Sequence, residues 1–369
     1  MKLERIEAII STGLPGLYRV IVFLAIQITF NSSQLGNIAS SFTTAQILGF
    51  FSAIGWSSIL LTRLPRLSSK EQKNEELNRI LIMALATALL IVIILVQLAL
   101  LTGNLYGAFE ISSLLIGWTV YQIPRHYLIA EKLYRKAIFL DILLLSITTL
   151  SISISTSEIG VVASISSSLA ICGAALYFHL QKGAFGNITK LKFEKIGLEF
   201  GLANFITGGI ALSIIPASKA FSDPEVTGLL SLFLSISSIS WLIPRALSLN
   251  NLPALTIELN ERKHSSLILQ ELKRQITTAN IATTIACIFL IALFYLYSPG
   301  GKSTTFLVLS SILTLQGTLT TQSIINSNIL MCLEKSKSSL KISGITFVIY
   351  ITLSILAVST LPKEGGRKN

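Results

Sequence analysis

The sequence predicts an all-α integral membrane protein of about eleven transmembrane helices, and three observations predict it. Hydrophobic residues make up 51% of the 369 and charged residues 13%, with a mean hydropathy of +0.71; a soluble domain carries about 25% charged residues. The apolar residues fall in long runs: Leu81 to Leu101 and Ile342 to Leu361 contain no charge, and Ala137 to Ser155 contains only Asp141. A run of about 20 such residues crosses a hydrocarbon core of about 30 Å. Lys and Arg, finally, cluster in alternate loops.

In chain order the runs cover about 6–30, 35–61, 80–101, 109–129, 137–155, 159–179, 196–220, 226–243, 276–297, 304–325 and 342–361. Each is bounded by charged residues or by Gly, Pro and Asn. The first contains Arg19 and is too long for a cleavable signal, so it counts as a span. The second is rich in Ser, Thr and Gly, a polarity tolerated where a helix faces protein or a wet cavity.

Basic residues lie before span 1 and after spans 2, 4, 6, 8 and 10. The exceptions are Arg19, Lys219, Lys302 and the tail residues Lys363, Arg367 and Lys368. By the positive-inside rule the basic side is cytoplasmic, with the N-terminus on it. The same rule accounts for a net charge of +11 and a pI near 9.6 without nucleic acid as a partner. Cys172, Cys287 and Cys332 lack CxxC spacing and are expected to pack as small hydrophobes. His126, His179 and His264 are scattered, no Gly-rich nucleotide loop occurs, and the loops are too short to house a soluble active site. The sequence therefore predicts no enzyme, no metal and no cofactor.

The halves look related. Leu64-Pro65-Arg66 closes span 2 and Ile243-Pro244-Arg245 closes span 8; Ala130-Glu131-Lys132-Leu133 follows span 4 and Leu333-Glu334-Lys335-Ser336 follows span 10. The expected organisation is an N-terminal six-helix bundle over 1–190 and a C-terminal bundle of five over 191–369. The second would lack its last helix and carry an amphipathic segment at about 248–275 on the cytoplasmic surface.

With its glycine-containing, basic first span (Gly13-Leu14-Pro15-Gly16-Leu17-Tyr18-Arg19), the basic segment after span 2 and the six-helix repeat, the chain resembles a known family. This is the polysaccharide (O-antigen and capsule repeat-unit) flippase family of the multidrug/oligosaccharidyl-lipid/polysaccharide exporter superfamily. The resemblance implies a V-shaped, alternating-access transporter in the bacterial inner membrane. It would carry undecaprenyl-diphosphate-linked oligosaccharides from the inner to the outer leaflet for surface polysaccharide synthesis. Implied partners are that lipid-linked oligosaccharide, membrane lipids, and a polysaccharide polymerase with its chain-length regulator. The alternatives are a multidrug/cation antiporter of the same superfamily and a membrane enzyme of polysaccharide assembly, a polymerase or an acyltransferase.

Arg19 lies about 13 residues into its span, roughly 20 Å deep. It is expected either to hold a diphosphate in a wet cavity or to pair with a carboxylate such as Asp141. Arg66, Arg125 and Arg245, at the cytoplasmic ends of even-numbered spans, are candidates for first capture of the diphosphate or for lipid anchors. Lys219 would draw substrate at the outer mouth or pair with Asp223. Asp141 is the ion-coupling candidate, or a partner of Arg135 or Lys136. Pro15, Gly16, Gly208, Gly209 and Pro216 are the expected hinge residues. Trp56, Trp118 and Trp241 are expected at interfaces or in packing.

Overall fold

The computed structural model describes residues 2–181, 194–221, 223–260, 266–297, 304–322 and 324–360, and no strand occurs among them. They form eleven helical rods. The first six are α1 (Lys2–Thr29), α2 (Ser32–Arg66), α3 (Lys70–Thr102), α4 (Leu105–Ala130), α5 (Tyr134–Ser153) and α6 (Glu158–Gln181). The remaining five are α7 (195–221), α8 (224–260), α9 (Ser266–Tyr297), α10 (Thr304–Gln322 with Ile324–Cys332) and α11 (Ser336–Thr360). Among the described residues six segments are long and apolar enough to cross a membrane: Ile6–Thr29, Ser32–Arg66, Lys70–Thr102, Tyr134–Ser153, Glu158–Gln181 and Leu269–Leu293. Every expected span has its rod.

Local chemistry sets the breaks. Asn31 caps α2 by accepting from the Gln34 amide at 2.8 Å, and Ser69 caps α3 through the Gln72 amide at 3.2 Å. Gly103, at φ 75°, ends α3 in the left-handed region, and Asn104 then caps α4. After α4 the amides of 131, 132 and 133 bond to the carbonyls of 127, 129 and 128; after α10 those of 333, 334 and 335 bond to 329, 331 and 330. Lys132 (φ 56°) and Glu334 (φ 52°) hold the same left-handed place in these two turns. The repeat seen in the sequence thus returns as one turn built twice, shifted by a residue from the alignment that the Glu-Lys pairs suggested.

The other motif pair diverges. Leu64–Arg66 is a tight turn that ends α2, whereas Ile243 to Arg245 lies inside α8, which runs on to Asn260. The expected amphipathic segment at about 248–275 falls across the end of α8 and the start of α9. Residues up to Asn260 prolong α8 and those from Ser266 begin α9, while 261–265 lie outside the described residues. Leu252, Leu255 and Thr256 are buried along that extension. Tyr134 donates to Asn250 Oδ1 at 2.9 Å, and Thr256 meets the Cys332 thiol at 3.1 Å.

Rods α1–α6 pack among themselves, as do α7–α11, and α1 and α2 carry most of the packing between the groups. The larger core belongs to the first group, around Phe23, Phe42, Trp56 and Tyr121. Rod α2 contains a π-helical turn at Phe50–Ile54, and α7 contains another at Phe205–Gly209. Phe205 stacks with Phe50 and Phe51 at 6.5 and 5.6 Å between centroids, so the two turns face each other across the interface. Before its turn α2 lies mainly on α8, with a smaller contact to the Ile214–Phe221 segment of α7; after it, α2 lies mainly on α7. Both contacts need glycine: a Cβ on Gly36 would sit 1.9 Å from the Pro224 carbonyl oxygen, and one on Gly55 would sit 2.1 Å from that of Gly197.

The hinge residues fare unevenly. Gly208 and Gly209 fall in the π-helical turn of α7, and Pro216 sits in the first turn of the segment Ile214–Phe221, where a missing amide costs least. Pro15 and Gly16 lie within an unbroken α1. The π-helical turn in α2 was not foreseen.

Candidate functional site

The structure divides the candidate basic residues into paired and unpaired. Arg125 is paired, within the fold rather than at a mouth. Its Nε donates to Asp141 Oδ1 at 2.9 Å and Oδ2 at 3.2 Å, and Nη2 donates to Oδ2 at 2.9 Å and to the Ser11 carbonyl. Tyr121 adds its hydroxyl to Asp141. Both ionic side chains are buried, and the knot ties α1, α4 and α5 together. Asp141, the expected ion-coupling candidate, is thus the counter-charge of Arg125 and not of Arg19. It is not the partner of Arg135 either, which donates to Glu7 at 2.7 Å. The sequence missed this pair because sixteen residues and a helix reversal separate its members.

Arg66 is also engaged. Its Nη2 donates to the Cys332 carbonyl at 2.7 Å, and Nη1 reaches Glu334 at 3.5 Å, so it fastens α2 to the turn between α10 and α11. Lys219 is exposed and makes no ion pair with Asp223 among the described residues. Arg245 is exposed on α8, within electrostatic reach of Arg125, and makes no ion pair among the described residues.

Arg19 differs from all of these. It is 7% exposed, midway along α1, and no carboxylate pairs with it among the described residues. Its guanidinium lies over the Phe23 ring, 5.3 Å from the centroid, and Nη2 makes one long contact, 3.5 Å, to Thr43 Oγ1. Nε has no hydrogen-bond partner among the described residues. Cation–π contact offsets only part of the cost of desolvating a guanidinium.

Two more orphaned polar atoms lie along the same stretch of α2: Gln46 Oε1 and, from α4, Trp118 Nε1. Thr43, Gln46 and Gly49 follow at helical spacing, and a Cβ on Gly49 would stand 3.2 Å from Trp118 Nε1. Phe42 bridges the set edge-on, 5.9 Å from Phe23 and 6.0 Å from Trp118. A fixed cation, an amide oxygen and an indole N–H between aromatic rings can receive a ligand with an anionic group and hydroxyls. Trp56 packs instead, donating to Thr87 at 3.2 Å; the side chain of Trp241 and all of His264 lie outside the described residues.

Glu110 was missed. It is buried one and a half turns into α4 and accepts from the Ser41 hydroxyl at 2.8 Å, with no basic partner among the described residues. Near it Glu158 receives Asn37 Nδ2 at 3.4 Å. No group of residues able to hold a metal ion occurs among the described residues.

These features define a polytopic all-α fold of two helix groups sharing a central seam. No family model matches the sequence, nor does any curated protein. Solved structures do match. A structure of the MATE multidrug transporter DinF-BH with a bound ligand aligns at a TM-score of 0.69 and 15% identity, over 98% of this chain and 89% of that one. An outward-facing multidrug resistance MATE family transporter of the MOP superfamily aligns at 0.66 and 14% identity, over 98% and 88%. A MOP superfamily transporter from Pyrococcus furiosus, described as having a binding pocket of reverse polarity that suggests a different function, aligns at 0.66 and 15%, over 92% and 83%. The chain has the fold of the V-shaped MATE transporters; identities this low establish the fold and leave the substrate to the site.

Proposed function

We propose that the chain exports an anionic amphiphile, as a flippase for undecaprenyl-diphosphate-linked oligosaccharide repeat units in the bacterial cytoplasmic membrane, N-terminus inside. One observation carries the reading: a guanidinium is buried midway along an apolar helix with no counter-charge among the described residues. On insertion scales a central Arg costs about 2.5–3.5 kcal/mol, and here no ion pair offsets that cost. A guanidinium fork matches phosphate oxygens. The orphaned amide of Gln46 and indole of Trp118 suit sugar hydroxyls. Arg245, exposed and outside every ion pair among the described residues, suits earlier contact with the same group.

The second reading is a multidrug/cation antiporter, and the solved relatives favour it by what they are described as carrying. Glu110 gives it a residue: a buried carboxylate bonded to the hydroxyls of Ser41 and Tyr106 can trade a proton or cation against a cationic drug.

The test is complementation. Arg19→Ala is expected to abolish surface-glycan display in a flippase-deficient strain while the protein accumulates normally, and Glu110→Gln to leave display intact. Normal display by the Arg19 variant, together with drug resistance that requires Glu110, would transfer the assignment to the antiporter.

A further inference from the structure

Where the basic loops lie, a cluster of charges joins the two helix groups. Arg63, near the end of α2, grips Glu194 with both prongs: Nη1 donates to Oε1 at 3.1 Å and Nη2 to Oε2 at 2.8 Å. Arg79 on α3 donates Nη1 to the same Oε1. Its other nitrogens hold Glu76, at 2.6 Å from Nη2 and 2.9 Å from Nε. Arg63 also reaches Glu334 from Nε and Nη2, both at 3.3 Å, beside the Arg66 contacts. Three guanidiniums from the first group thus meet Glu194 and Glu334 from the second, with Glu76 completing charge neutrality.

Two features mark Glu194 as a replaceable occupant. Two guanidiniums converging on one carboxylate form an anion receptor whose forks fit phosphate oxygens as well as they fit carboxylate. Glu194 also stands immediately before α7 in the N-cap position, yet its side chain makes no capping bond there. Freed, it has a second resting place on the first amides of that helix, where negative charge is favoured. In that second position the carboxylate would serve its own helix alone and leave Glu334 as the remaining carboxylate between the groups.

We propose that Arg63 and Arg79 are the first binding site for the substrate's phosphates, filled in this closed conformation by Glu194, which a diphosphate displaces to open the seam on the basic face. The idea rests on the anionic-substrate reading above. It gives first capture to arginines other than Arg66 and Arg125, which hold a backbone carbonyl and a buried aspartate in place. It also makes opening depend on substrate: a multiply charged phosphate outcompetes a single carboxylate, and a neutral amphiphile does not.

The test uses the full chain in lipid nanodiscs with spin labels at Ser68→Cys and Lys337→Cys, exposed positions on the two sides of the seam; the three native cysteines are buried. Farnesyl diphosphate is the probe, farnesol the neutral control, and binding is measured in parallel by calorimetry. Farnesyl diphosphate is expected to lengthen the distance in the wild type and farnesol to leave it unchanged. Glu194→Gln should lengthen it without ligand and tighten farnesyl diphosphate binding about tenfold, the scale of one charged contact. Arg63→Lys, which keeps the charge and loses the fork, should weaken binding, and Arg19→Ala should still open. Binding with no distance change, or unchanged affinity in Glu194→Gln, overturns the proposal and leaves the anionic reading standing. Opening that needs Arg19 but not Arg63 overturns it as well. If farnesyl diphosphate binds none of these variants, the anionic reading falls, and this proposal falls with it.

Discussion

Removing Asp141 separates a structural carboxylate from a transporting one. In the native chain three N–H···O contacts of 2.9–3.2 Å join it to Arg125, and the Tyr121 hydroxyl adds a fourth contact. The pair is 6% and 3% exposed, so water cannot replace what is lost. Asp141→Leu removes the carboxylate shared by Arg125 and Tyr121 and leaves the guanidinium with the Ser11 carbonyl and the Tyr121 hydroxyl, without a counter-charge. Breaking one side of such a pair costs about 3–5 kcal/mol, and the hydrogen bond that Tyr121 loses adds about 1 kcal/mol. Exchanging both charges, in Arg125→Met with Asp141→Leu, removes the desolvation penalty along with the attraction and should return stability to within about 1 kcal/mol of wild type. Equilibrium unfolding in mixed micelles, followed by tryptophan fluorescence, reads all three proteins. Wild-type stability in Asp141→Leu combined with loss of transport would refute the argument and restore Asp141 as the coupling group.

Other outcomes follow from the same geometry. Arg19→Ala should raise stability by about 2–3 kcal/mol while transport is lost, because a buried cation without a counter-charge is removed; a destabilised variant would mean that Arg19 has a structural partner. Gly36→Leu forces a side chain to within 1.9 Å of the Pro224 carbonyl and should part α2 from α8, read as loss of a cysteine cross-link between Ser33→Cys and Glu225→Cys. At Glu194 burial alone would raise the carboxyl pKa, but hydrogen bonds from Arg63 and Arg79 hold it below the usual carboxylate range. A depressed carboxylate contributes its stability above the unfolded value of about 4.3 and loses it as pH falls through the lower folded value. The distance between residues 68 and 337 should therefore stay constant from about pH 8 to 5 and grow only below about 4; lengthening near neutrality would exclude Glu194 as the responsible group.

The rods were legible because apolar runs and loop charges repeat on the scale of the helices themselves. So was the oddity of Arg19, since depth along a helix follows from counting residues. Partnership was not legible. Arg63 and Glu334 meet across 271 positions, and Arg125 finds Asp141 only after the chain reverses at a left-handed Lys132. Glu110 escaped because it stands second in its apolar run and passes for a boundary; α4 in fact begins at Leu105, which carries the carboxylate inside. The π-helical turn of α2 left no trace either, since FFSAI would continue an ordinary helix equally well.

That turn has a mechanical meaning. A π-helical turn accommodates one residue more than an α turn, so everything beyond it is rotated by about 100° relative to an uninterrupted helix. Rod α2 can therefore show its glycine notch to one neighbour above the wide turn and to a different neighbour below it. Its partner in α7 is built with the same irregularity, and the phenylalanines of the two mesh where the rods cross. A straight rod there would tie both ends of the molecule to a single tilt. With a wide turn halfway along, the upper and lower halves are set at different azimuths, each seated on its own glycine.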